Sequence, residues 1–194
     1  DDQAELMVLI GRVHYARADY AAALELWTEA LDVAQRAGEL VQWGWAKLGV
    51  GQICDALGHA ELAVAVYTEL QGAIRGAGDS RADVRRLAKL RLFTHLNMGV
   101  NCLRLQRLDE ARVQYEQGLQ LARELGIADE EGEALMRLAE VASRQGRAEE
   151  ARQVYRSLAG QRDYHGFLAA DRLDLTYAIS STPLEIAPTE LDGL

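Results

Sequence analysis

Four segments of the chain align with one another without gaps, and this internal repeat narrows the possible folds more than any other property. In each segment a small residue is followed after twelve positions by alanine and after four more by an aromatic residue. The small residues are Gly11, Gly51, Gly99 and Ala139, the alanines are Ala23, Ala63, Ala111 and Ala151, and the aromatic residues are Trp27, Tyr67, Tyr115 and Tyr155. A recurring period of about 40 residues is typical of stacked structural units.

The sequence of each repeat unit predicts two helices joined by a short turn. The chain has only two prolines in 194 residues, which suits helix interiors, and helix-forming residues such as alanine, leucine, glutamate and arginine dominate. The alanine and the aromatic residue, four positions apart, share one face of the second helix. Because one helix pair cannot bury that face alone, the pairs must stack. We therefore expect an all-α right-handed superhelix of four helix pairs plus a capping helix, without a sheet.

Glycines at the ends of three second helices predict how those helices stop. They are Gly38, Gly126 and Gly160. Glycine adopts the left-handed conformation at least cost, so we expect a left-handed cap at each of them.

The third unit carries eight additional residues, which predict a longer first helix from about Arg81 to Gln106. Ser80 with Asp83 resembles a capping box at its start. The extension is basic, with Arg81, Arg85, Arg86, Lys89 and Arg91. Two interpretations stay open: a solvated face, or a docking point for an acidic partner or for the acidic tail that contains Glu185, Glu190 and Asp192.

The repeat pattern over about residues 4–160 resembles the tetratricopeptide repeat, whose signature combines L-G-x2-Y with A-x3-F. The tyrosine of that signature is replaced by His14, Cys54, Cys102 and Ala142, and the period is near 40 instead of 34 residues. The resemblance implies a superhelix of helix pairs whose concave surface binds proteins or peptides.

The last 40 residues resemble the helical region that precedes the catalytic domain of soluble lytic transglycosylases. The matching residues are Tyr155, Leu158, Arg162, Asp163, Tyr164, Gly166, Phe167, Ala169, Ala170, Asp171, Arg172, Pro183 and Leu184. The catalytic domain of that family has no counterpart in this sequence. We therefore divide the chain into a repeat array at 1–160 and a C-terminal capping helix with an extended tail at 161–194. In the capping helix, Tyr164, Phe167 and Leu168 share one side.

Charge and composition exclude several functions. Thirty acidic against 21 basic residues give a net charge of −9, which argues against nucleic-acid binding. No apolar run is long enough for membrane insertion. The chain starts at Asp1 without a visible targeting signal, so it is interpreted as processed or trimmed. We expect a cytoplasmic location, with the periplasm as the alternative if the transglycosylase resemblance is meaningful.

Motifs for catalysis and cofactor binding are absent from the sequence. It contains no phosphate-binding glycine loop, no H-E-x-x-H and no G-x-S-x-G. Cys54 and Cys102 occupy the same slot in adjacent repeats, about 10 Å apart in stacked helices, which is too far for a disulfide. We expect two buried free thiols, no metal site, no cofactor and no enzyme activity.

Candidate binding residues follow from helix geometry. Positions one residue beyond the core positions of each first helix are rotated by about 100° and face the inner groove. The predicted groove residues are Arg12, Tyr15, Trp45, Gln52, Asp55, Phe93, Val100, Arg104, Glu140 and Arg144. We also expect Leu48, Leu96 and Leu103 in this stripe, unless neighbours shield them. Trp43 and Trp45 point in opposite directions, so one should be in the core and the other should face outward.

These observations predict a non-catalytic scaffold that binds a peptide or protein segment in its groove, with Trp45, Phe93 and Arg104 as anchors. Two alternatives remain: the helical region of a peptidoglycan-cleaving enzyme, and an engineered repeat protein. Self-association through the end faces is a further hypothesis, because the first helix pair lacks an obvious polar cap.

Overall fold

A computed structural model describes residues 3–75, 77, 81–160 and 163–175, with the backbone alone at 81 and 82. Over these ranges the chain forms nine α-helices and no strand. The helices are α1 (Gln3–Ala16), α2 (Tyr20–Ala37), α3 (Leu40–Ala56), α4 (Ala60–Arg75), α5 (Arg81–Arg104), α6 (Leu108–Leu125), α7 (Ala128–Arg144), α8 (Ala148–Ala159) and α9 (Tyr164–Arg172).

Each helix packs on the next one along the chain, and the first helices α1, α3 and α5 also pack on one another in order. The described chain is thus a solenoid of four helix pairs, α1/α2 to α7/α8, closed by α9 against α8 and α7. This confirms the expected all-α fold class. Helix α5 begins where predicted and ends at Arg104, two residues early. Ser80, the first member of the expected capping box, lies outside the described residues.

The small residue and the aromatic residue of each of the first three repeats are in direct contact. A methyl group added to Gly51 would lie 2.3 Å from the ring of Tyr67, and one added to Gly11 would lie 2.4 Å from the ring of Trp27. Both rings are buried. The next repeat uses the same ring, because Gly49 in α3 lies against the face of Trp27. The Trp27 side chain therefore joins α1 and α2 within the first pair and also joins that pair to α3.

Left-handed backbone recurs at one place in every helix pair, the turn between its two helices. The residues with positive φ there are Ala18, Gly58, Gln106 and Gly146, spaced by the repeat. Gly38 and Gly126 are left-handed caps as predicted, with φ of 72° and 69°. The prediction for Gly160 is wrong: its φ is −78°, so this residue is not left-handed, and its N–H is directed to the carbonyl of Leu158.

Helix α9 covers the last pair with small residues and not with its aromatic side. The Asp163 carboxylate caps its start by accepting from the N–H of Gly166 at 2.7 Å. Gly166, Ala169 and Ala170 form its buried face, while Tyr164 and Phe167 are exposed. Small side chains let α9 approach α8 closely, which large rings on that face would prevent. The predicted extended tail and Arg162 lie outside the described residues.

The basic extension of α5 is only partly a solvated face. Arg91 donates from Nη2 to the carbonyl oxygens of Ile74 at 2.7 Å and Ala77 at 3.0 Å, so it caps the end of α4. Arg85 and Arg86 are exposed, as expected for a solvated face. The side chain of Arg81 lies outside the described residues.

Cys54 and Cys102 are buried free thiols, as predicted from their spacing. Burial raises the pKa of both thiols, that of Cys102 to about 11. Within the described ranges, no cluster of three His, Cys, Asp or Glu side chains is arranged to hold a metal ion.

Candidate functional site

A cavity of about 200 Å³ lies where α1, α3 and α5 run side by side. Four of the predicted groove residues line it, together with a lysine that was not among them: Arg12, Trp45, Gln52, Phe93 and Lys89. We call these five residues the central pocket. They come from three successive repeats, so the pocket exists only because the hairpins stack.

Aromatic rings and cations make up most of the central pocket. The Trp45 and Phe93 ring centroids are 5.8 Å apart, and Lys89 Nζ lies 5.9 Å from the centroid of Phe93. Such contacts are favourable for a cation over a ring face. Among the described residues, neither Arg12 nor Lys89 has an acidic partner. The pocket thus combines apolar surface with two positive charges in a chain of net charge −9.

Asp55 and Arg104 form an ion pair between α3 and α5, next along the groove. Arg104 also donates to the backbone carbonyl of Asp55 at 3.2 Å. Tyr15 lies near this ion pair. Its pKa is raised, mainly by burial and secondly by the negative charge of Asp55. Arg104 was expected to be an anchor for a partner; in the structure a partner would have to compete with Asp55 for it.

The predicted groove residues of the fourth repeat form a separate group. Arg144 donates to Glu140 at 2.7 Å, and Arg137 donates to the same carboxylate at 3.3 Å. Glu140 lines a different cavity, of about 350 Å³, together with Tyr155 of α8 and His165 of α9. The ten predicted residues are therefore divided among the central pocket, the Asp55–Arg104 region and this C-terminal group, and Val100 is half-buried against the core.

Part of the predicted stripe is shielded by its neighbours. Leu48, Leu96 and Leu103 are all buried. The apolar middle of the groove consequently depends on Trp45, Phe93 and Val100, which are half-buried.

Two features of the structure were not predicted from the sequence. Lys89 was assigned to the basic extension, although its position four residues before Phe93 places both on one face of α5. The second feature is a cleft of about 540 Å³ between α2, α3 and α4. There Lys47 Nζ lies 5.7 Å from the Trp43 ring and 2.7 Å from a carboxylate oxygen of Glu69.

The expectation that one of Trp43 and Trp45 is in the core is wrong. Both are half-buried, Trp43 in the cleft against α2 and α4 and Trp45 in the central pocket between α1 and α5. Small residues fill the core positions around them instead, since Gly44 and Ala46 are the buried neighbours. None of the described helices combines the length and the apolar character needed to cross a bilayer.

Helix pairs stacked through a small residue and an aromatic residue define an all-α solenoid of the tetratricopeptide type. Residues 90–159 match the family model of the tetratricopeptide repeat, which covers α6, α7, α8 and most of α5. No curated protein matches the chain. The resemblance of the C-terminal residues to soluble lytic transglycosylases therefore stays a hypothesis.

Proposed function

We propose that this protein is a non-catalytic scaffold that binds a peptide or protein segment in the groove formed by α1, α3 and α5. The observation that carries the proposal is the central pocket, where side chains from three repeats surround one cavity. Tetratricopeptide repeats generally mediate protein–protein interactions, which supports the same conclusion.

The chemistry of the central pocket favours one kind of segment. Its volume of about 200 Å³ suits one large side chain, and Trp45 and Phe93 offer that side chain an aromatic surface. The Arg12 and Lys89 cations stand beside it without acidic partners among the described residues. A segment that places a carboxylate next to an apolar or aromatic residue would complement both features.

The proposal is tested by selecting peptides from a random library displayed on phage and measuring the dissociation constant of the selected peptides by fluorescence anisotropy. The groove variant is Trp45→Leu with Phe93→Leu. Leucine is the better choice because both rings also pack against the core, so alanine would remove structural contacts as well. The matched control is Leu62→Ala with Val113→Ala, two exposed apolar residues outside the central pocket.

We expect the groove variant to bind the selected peptides at least about tenfold more weakly, since buried aromatic anchors contribute 2 kcal/mol or more. The control variant should bind like the unmodified protein. Peptides that bind both variants equally would refute the groove as the binding site, and failure to select any peptide would refute the proposed function.

A further inference from the structure

Helix α1 presents an apolar stripe to solvent at the first end of the solenoid. Its buried side is formed by Ala4, Val8 and Gly11. The opposite side carries four large apolar residues at helical spacing, with exposures of 57%, 48%, 39% and 50%: Leu6, Leu9, Ile10 and Val13. We call these four residues the α1 stripe.

Leu6 of the α1 stripe occupies a position that is buried in the three other first helices. Moving along the sequence by the repeat lengths, Leu6 is equivalent to Ala46 in α3, Thr94 in α5 and Ala134 in α7. Each of these three is 0% exposed, because the preceding helix pair packs on it. Among the four first helices that the structure describes, only α1 has a large side chain at this position, and only there is the position exposed.

This difference in size argues against a further helix pair stacked on α1 in the same way. The three covered positions hold alanine or threonine, which allow the preceding pair to approach closely. Leucine at that position would overpack the contact, a change that typically costs about 1–3 kcal/mol. The α1 stripe therefore suits a partner that packs with a different geometry.

We propose that the α1 stripe pairs with the α1 stripe of a second copy of the chain, with the two helices antiparallel about a twofold axis. A twofold interface uses the same patch on both copies, and the stripe is self-complementary in this arrangement. Leu6 then lies opposite Val13 of the second copy, and Leu9 lies opposite Ile10 of the second copy.

Charge selects the antiparallel direction. Glu5 in the first half of α1 and Arg12 in its second half lie on the same flank of the stripe. In the antiparallel pair Glu5 comes close to Arg12 of the second copy. In parallel helices related by a twofold axis the equivalent flanks lie on opposite sides of the contact, so Glu5 and Arg12 would not meet. The antiparallel arrangement also brings the helix dipoles into opposition, which is favourable.

The first test is the mass of the full chain in solution by sedimentation equilibrium at about 100 µM, where a micromolar dimer is almost fully associated. We expect a dimer. Leu9→Asp should halve the mass while the circular dichroism spectrum stays unchanged, because the side chain is exposed in the monomer. The matched control is Leu62→Asp, an equally exposed leucine in α4, which should remain dimeric.

A second test reports the direction of the helices through disulfide formation under mild oxidation. Ile10→Cys lies near the twofold axis and should form a dimer linked by a disulfide. Leu6→Cys should not, because its two copies are offset by about 10 Å along the axis, but it should link when combined with Val13→Cys. A monomer at about 100 µM, a dimer that survives Leu9→Asp, or linkage through Leu6→Cys alone would overturn the proposal. Arg12 belongs to the central pocket as well, but peptide binding is tested separately through Trp45 and Phe93, which lie outside the α1 stripe.

Discussion

The contact between a glycine and an aromatic ring in each of the first three repeats makes a strong prediction for Gly51→Ala. The added methyl carbon would lie 2.3 Å from Cε1 of Tyr67, whereas carbon atoms in contact are normally about 3.5–4 Å apart. The Tyr67 ring is buried and cannot turn away, so α3 and α4 must separate by about 1 Å. Overpacking of this kind costs about 1–3 kcal/mol.

Helix propensity opposes that cost, because alanine is favoured over glycine in a helix by up to about 1 kcal/mol. We therefore expect Gly51→Ala to lower the free energy of unfolding by about 1–2 kcal/mol, which corresponds to a decrease in Tm of about 2–8 °C for a chain of this size. The control is Gly72→Ala in α4, where no atom lies within 4 Å of the added carbon. The same chemical change there should raise stability by about 0.5–1 kcal/mol.

The assay is urea denaturation followed by circular dichroism at 222 nm, with both variants measured beside the unmodified protein. A lower free energy of unfolding for Gly51→Ala together with a higher one for Gly72→Ala would support the close contact between the glycine and the ring. A Gly51→Ala protein as stable as Gly72→Ala would show that the ring and the glycine are not in close contact, and the account of stacking would be refuted.

Three further predictions concern stability. Ala18→Gly and Gln106→Gly should each raise the free energy of unfolding by about 0.5–1 kcal/mol, since both positions have φ near 60°; lower stability in either variant would contradict this. Arg91→Met should lower the free energy of unfolding by about 1–3 kcal/mol by leaving the end of α4 uncapped, and hydrogen exchange at that end should become faster. Burial raises the pKa of the Cys102 thiol from an ordinary value of 9.0 to about 11. Above pH 9 the unfolded chain therefore loses this proton while the folded protein keeps it, so the stability contributed by the buried thiol is complete below pH 9 and is lost as the pH rises to about 11. The free energy of unfolding, measured by urea denaturation across that range, should decline less in Cys102→Ala than in the unmodified protein.

The repeat and its packing could be predicted from the sequence because they depend on short-range periodicity. The spacing of Gly51 and Tyr67 sets their contact once a helix–turn–helix is assumed. The buried thiols follow from the repeat itself, because Cys54 and Cys102 occupy equivalent positions in adjacent repeats. A period of four residues places side chains on a helix face whatever lies around them.

The arrangement of the groove could not be predicted in the same way. Helical spacing places Arg104 on the correct face, but its pairing with Asp55 depends on the offset between α3 and α5. The role of Arg91 likewise depends on where the end of α4 lies. Long charged side chains reach several ångströms from their backbone, so the tertiary contacts decide which partner they find.

The most direct test of the account is peptide binding by the central pocket, measured together with stability. The groove variant Trp45→Leu with Phe93→Leu should lose at least about tenfold in affinity for peptides selected on the unmodified protein, while its denaturation midpoint stays close to that of the control. Tyr115→Ala should instead lower the free energy of unfolding by about 3–5 kcal/mol. Retained affinity in the groove variant, or equal losses of stability in the groove variant and in Tyr115→Ala, would contradict the claim that the stacked hairpins leave a groove whose residues bind a partner.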